Sequence, residues 1–152
     1  SNPEPNVTTH TPTHITSHLS QDNAADIKHD LIALGAQTSA AKQEAENSMW
    51  EIKHAMEKKD LRALKTAIEK SNKRIQSLNQ NYDAVSLKSS EVVAAREKLK
   101  KDNNLQIEMG NIILSSSPDR QKFEELQKKR SNSQKMVEIE MEALRIKANT
   151  AS

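Results

Sequence analysis

The feature that most constrains this chain is where its prolines are: Pro3, Pro5, Pro12 and Pro118, with none between Thr13 and Ser117. Proline removes a backbone donor and clashes with the preceding helical turn, so it is the strongest local veto on an α-helix. The long middle of the chain carries no such veto. Its two glycines, Gly35 and Gly110, stand alone inside helical patterns. Each costs about 1 kcal/mol relative to alanine there, which predicts bends or close helix contacts. Neither belongs to a phosphate-cradling loop.

Composition decides what kind of helices these are. Only 34% of the 152 residues are hydrophobic and 2% aromatic, while 29% are charged. A thick core needs more apolar burial than that to offset chain entropy. Long, thin helices joined along narrow seams satisfy both the helix-rich composition and the sparse apolar content.

The spacing of apolar residues shows the seams. After "SQDNAAD", where Ser20, Asp22 or Asn23 can cap a helix, the inward positions run Ile27, Leu31, Leu34, Thr38, Ala41, Ala45, Ser48, Ile52 and Ala55. Steps of four and three make a heptad pattern. Lys58 and Lys59 suit a helix C-terminus and Asp60 an N-cap, so "EKKDLRAL" predicts a tight antiparallel turn. A second seam runs Leu61, Leu64, Ile68, Ser71, Ile75, Leu78, Tyr82, Val85, Ser89, Val92, Arg96 and Leu99, in phase across "SLNQNYD". It predicts one helix from about Leu61 to about Ser115, roughly 80 Å long. Beyond Leu99 the pattern shifts to Leu105, Met109, Ile112 and Ile113, which makes "KDNN" at 101–104 a stammer or kink. Ser117 as N-cap with Pro118 at the first helical position opens the last helix. That helix carries Phe123, Leu126, Ser133, Val137, Met141, Leu144 and Ala148, with a second stripe of Met136, Ile139, Ala143 and Ile146.

The expected fold is therefore all-α: an elongated antiparallel helical bundle or coiled coil of three long helices, at about 22–58, 60–115 and 118–149, in one domain of residues 21–150. Four helices are the alternative, with a break near 79–82 or 101–104. Mirror counting about the two turns leaves the outer helices overlapping only briefly on the middle one, as a slender, partly three-stranded rod. So thin an object predicts self-association, as a dimer.

Residues 1–20 read as a flexible tail rich in Thr, His and Pro. His10, His14 and His18 recur every fourth position. On a helix they could chelate a metal, but Pro12 interrupts them and no acid or thiol lies close by, so a tether is expected and no metal site. Asn6 to Thr8 matches a glycosylation sequon, meaningful only in a eukaryotic secretory setting. The absence of cysteine excludes disulfides and thiolate chemistry. The start "SNPEPN" fits a processed or recombinant product, or a chain that begins just after the lipid-bearing cysteine of a bacterial lipoprotein.

No catalytic motif appears, and a thin rod lacks the desolvated cleft that shifts catalytic pKa values. The expectation is a non-enzyme without cofactor. Its acid pairs Glu44/Glu46, Glu124/Glu125 and Glu138/Glu140/Glu142 read as solvated faces. Residues 23–58 carry four cations and six acids, residues 59–116 eleven and seven, and residues 117–152 eight and six. Candidate partner-binding residues are a basic strip of Lys98, Lys100, Lys101, Lys128, Lys129 and Arg130, the stripe residues Met136, Ile139 and Ile146, and Trp50, the sole tryptophan. Trp50 is either covered by the last helix or another subunit, or anchors a partner. Interspersed acids, the lack of stacking aromatics and a net charge of only +2 argue against nucleic acid.

The function expected is a helical interaction or spacer protein, set in a bacterial envelope or secretion system. It would bind itself or another protein through its seams, with contact to an anionic surface as a further partner and no transmembrane segment. The alternatives are a secreted, membrane-active protein exposing Leu105, Met109, Ile112 and Ile113 to a bilayer, and a weak basic-strip nucleic-acid binder.

Overall fold

The computed structural model describes residues 18–151 and is all-α, with four helices among those residues: α1 (Ala24–Glu57), α2 (Leu61–Asp83), α3 (Ser90–Leu114) and α4 (Arg120–Ala148). Each opens on a side chain that accepts from a backbone N–H of its first turn: Asn23 from Asp26, Asp60 from Ala63, Ser89 from Val92 and Asp119 from Lys122. Four orphan donors are thereby satisfied. The last start differs from the expected one. Asp119 caps in place of Ser117, and Pro118 stays outside the helix, because the Asp119 carboxylate combines the cap with a charge favourable to the helix dipole.

The α1–α2 turn is as tight as "EKKDLRAL" predicts. Lys59 takes a left-handed backbone, φ 55°, which lets its N–H reach Met56 O and that of Asp60 reach Ala55 O. This double closure satisfies the last carbonyls of α1, and Asp60 then caps α2 with its side chain.

Three helices become four at residues 84–89, just past the 79–82 break held as the alternative. The heptad phase survives the break, but the helix does not. The reason is Asp30 of α1, fully buried. Its carboxylate accepts from the backbone N–H of Lys88 (2.9 Å) and Ser89 (2.7 Å) and from Ser89 Oγ (2.7 Å). From α3, Arg96 donates to the carbonyls of Tyr82 (3.1 Å) and Val85 (2.8 Å). The groups a continuous helix would have paired internally are claimed by side chains from elsewhere in the fold. At 101–104, by contrast, α3 runs on without a break.

The slender rod is likewise replaced by an up-down-up-down bundle in which α4 packs on α1 as well as on α3. Its apolar core gathers at one end, the proximal pole: Ile27, Leu34, Tyr82, Leu87, Val92, Ala95, Leu144 and Ala148. Here the entering segment is stitched in. Ser20 N–H donates to Lys88 O (2.8 Å), Ser90 N–H to Ser20 O (2.9 Å) and Asp22 N–H to Glu91 Oε2 (2.7 Å), and Lys147 of α4 pairs with Asp22.

Toward the distal pole, where α1 turns into α2, the seam becomes polar and narrow. Asn79 donates to Asn104 and accepts from Asn103, Asn72 donates to Asn111, and Arg74 donates to buried Ser48. Gly110 makes this approach close: a β-carbon there would stand 2.7 Å from Asn72 Oδ1 and 3.0 Å from Ile68 Cγ2. Gly35 has nothing within 4 Å of such an atom, so of the two glycines only Gly110 marks a close helix contact.

Candidate functional site

The distal end of the α1–α2 hairpin gathers the most chemistry. Trp50 is 63% exposed and, one turn on, stacks against His54 with ring centroids 4.6 Å apart and planes 14° from parallel. A spacing of four residues places both rings on one edge of α1. No part of α4 covers them, so the alternative in which the last helix covers Trp50 does not hold. Beside the rings lies an open groove of about 590 Å³, floored by Ala55 and Ala67 and walled by Glu51, Lys58, Asp60, Arg62 and Lys70. Lys70 is tied to Glu51 at 3.5 Å. Asp60 is occupied in capping α2. Lys58 and Arg62 make no ion pair among the described residues.

Positive charge collects along the turn. Residues 53–65 hold Lys53, Lys58, Lys59, Arg62 and Lys65 against Glu57 and Asp60, and of these Lys58, Asp60 and Arg62 line the groove. A count by helix divides this cluster between Lys58 and Lys59 and hides it. Counting across the turn would have found it from sequence.

Of the expected basic strip, three residues are ion-paired. Lys98 pairs with Glu140 at 2.6 Å, Lys100 with Asp83 at 2.7 Å and Glu97 at 3.6 Å, and Arg130 with Asp102 at 3.5 Å. The Asp83 hydrogen bond holds the Lys100 ammonium above its ordinary pKa, despite some desolvation. Arg74, by contrast, is lowered, chiefly by burial, with Glu44 opposing. Lys101, Lys128 and Lys129 are exposed and outside these pairs. Half the strip thus stitches α2, α3 and α4 together.

Met136, Ile139 and Ile146 are exposed, 62–65% each, along the outer face of α4. Leu105, Met109, Ile112 and Ile113 are half-buried, so exposing them to a bilayer would require the bundle to open. A second groove, of about 690 Å³, runs between α1 and α4. Thr38 and Tyr82, hydrogen-bonded at 2.7 Å, form part of its lining.

His10 and His14 and the Asn6–Thr8 sequon lie outside the described residues; His18 is exposed. Glu51 and His54 share a helical edge, but no group of three or more His, Asp or Glu among the described residues is arranged to hold a metal. His29 contacts Asp30 at 3.0 Å. The residue that sequence reading missed is Asp30. Its signal was present: it lies three residues after Ile27 and four before Leu34, on the apolar stripe, where a carboxylate must find donors.

No described helix is long and apolar enough to cross a membrane. No curated protein and no solved structure matches the chain. A protein-family model does match, over residues 28–150, which takes in all four helices apart from the first turn of α1. The chain therefore belongs to the family described as "Uncharacterised lipoprotein PM1805".

Proposed function

We propose that this protein is a non-enzymatic interaction and spacer module of the bacterial envelope, held to a membrane through lipid attached ahead of the bundle and presenting its distal pole to a partner. Membership of a lipoprotein family agrees with the envelope setting. The observation that carries the orientation is the stitching of residues 20–22 into the 88–91 segment. Whatever precedes Ser20 joins the bundle at the proximal pole, so an anchor there holds that pole toward the membrane. The 34 residues of α1, at about 1.5 Å each, carry the α1–α2 turn about 50 Å away.

Absence of catalysis is part of the proposal. The grooves are open to solvent, and the carboxylate most deeply buried, Asp30, is saturated by the donors that fix the α2–α3 loop. Neither the membrane-active nor the nucleic-acid alternative gains a specific observation.

Metabolic labelling with radioactive palmitate followed by membrane fractionation tests the anchor. Label in the membrane fraction is expected, and unlabelled protein in the soluble fraction would overturn it. Photo-crosslinking from position 50 and, separately, from position 139 tests the orientation. Specific adducts are expected from the former; adducts only from the latter would move the partner surface to α4.

A further inference from the structure

From the distal groove we infer a ligand class: an anionic glycan, meaning a run of sugar rings bearing carboxylates, bound between the Trp50–His54 shelf and the Lys58–Arg62 wall. This rests on the proposed orientation only for its biological setting, because the groove itself belongs to the α1–α2 hairpin.

Three observations converge. First, Trp50 and His54 are stacked nearly parallel, with the imidazole over one face of the indole, and more than half of the tryptophan surface is open. An aromatic face is electron-rich and attracts the positively polarised C–H face of a sugar ring while shielding it from water. Second, the floor is made of alanines, Ala55 and Ala67 both nearly fully buried, which leaves a shallow trough in place of a deep hole. Its volume, about 590 Å³, lies in the range of sites that take a small ligand or a short polymer segment. Third, the charge of the lining is net positive. Lys58, Arg62 and Lys70 stand against Glu51 and Asp60; Lys70 is paired with Glu51 and Asp60 caps α2, while Lys58 and Arg62 lack acidic partners among the described residues. Arginine in particular presents a planar fork matched to a carboxylate.

The same features argue against an anionic bilayer as the occupant. Of the other exposed apolar side chains of this end, Met49 and Met56 are seven residues apart and share a different edge of α1 from Trp50 and His54, and Leu61 stands at the start of α2. A bilayer takes up one continuous apolar face. Here the tryptophan is framed by charge on its own side.

Because Trp50 is the only tryptophan, its fluorescence reports directly on the groove. The full chain is titrated with three probes: oligogalacturonate, as a carboxylated glycan; an uncharged chitin oligomer of similar length; and vesicles of phosphatidylglycerol and phosphatidylethanolamine. Saturable quenching or a blue shift with the carboxylated glycan, weaker by about tenfold or more with the neutral one, is expected. Arg62→Glu should abolish it, and Lys28→Glu, exposed at the opposite pole, should leave it unchanged, both variants keeping wild-type helical circular dichroism. Trp50→Ala, followed by calorimetry, should also lose binding. Equal binding of the neutral oligomer, a response to vesicles alone, or no response to any probe would each overturn the inference. None of these results bears on lipid attachment, which palmitate labelling decides separately.

Discussion

The two ends of this bundle are held by different physics. At the proximal pole, Ile27, Leu34 and Val92 are almost fully removed from water, and four chain segments converge on one carboxylate and one strap. Toward the distal pole the helices touch through asparagines, serines and alanines around a narrow apolar line of Ile68 and Ile75, and large apolar side chains, Met49, Trp50, Met56 and Leu61, stay exposed. Hydrophobic burial stabilises the first end in proportion to area. The second end buries fewer large side chains, Ile68 and Ile75, and adds the small net return of hydrogen bonds exchanged with water. A rigid base with a thinner, polar tip suits a molecule that is fastened at one end and makes contact at the other, since surface left over from folding is what remains for binding.

Mutations can break this contrast or sharpen it. The largest effect is expected from Asp30→Ala, which orphans the N–H groups of Lys88 and Ser89 and the Ser89 hydroxyl. Urea denaturation should show a loss of about 3–5 kcal/mol, since each unsatisfied buried donor costs about 1–3. Leu34→Ala comes next, with a loss of about 2.5–4 kcal/mol from transfer and cavity terms together. If either costs less than about 1 kcal/mol, the proximal pole is not the stabilising end.

At the distal seam, Gly110→Ala forces Asn72 off its bond to Asn111, and a loss of about 1–2 kcal/mol is expected from overpacking. Thermal unfolding would check it, and an unchanged midpoint would mean the α2–α3 approach is looser than the geometry indicates. Smallest is Gly35→Ala. A β-carbon there meets nothing, so the gain in helix propensity should appear uncompensated, as a stabilisation of about 0.5–1 kcal/mol.

Legibility from sequence followed the same division. The first seam is recovered at all positions but one: Ile27, Leu34, Ser48 and Ala55 are buried, Leu31, Ala41, Ala45 and Ile52 half-buried, and Thr38 exposed. The Asp60 cap and the tight first turn were also readable, because local spacing and caps depend on neighbours three or four positions away. Leu61 is an exception, a seam position left 61% exposed because it lies beyond the end of the facing helix. The candidate site was only half legible. Trp50 stood out by its polar surroundings, but its cationic wall comes from both sides of the turn and was divided by counting helix by helix. In the basic strip, Lys98, Lys100 and Arg130 find their acids on other helices, at sequence separations that no local pattern records.

What the sequence by itself determined is the all-α class, the faces that turn inward and the first hairpin, since each follows from helical periodicity and from backbone groups that must be capped nearby. The break at 84–89, the fourth helix, the packing of α4 on α1 and the pairing of the strip's cations were decided by the tertiary structure. Helix and loop kept the same heptad phase there. The balance was set by a carboxylate fifty-eight residues away in α1 and a guanidinium in α3, whose hydrogen bonds exist only once the helices are side by side.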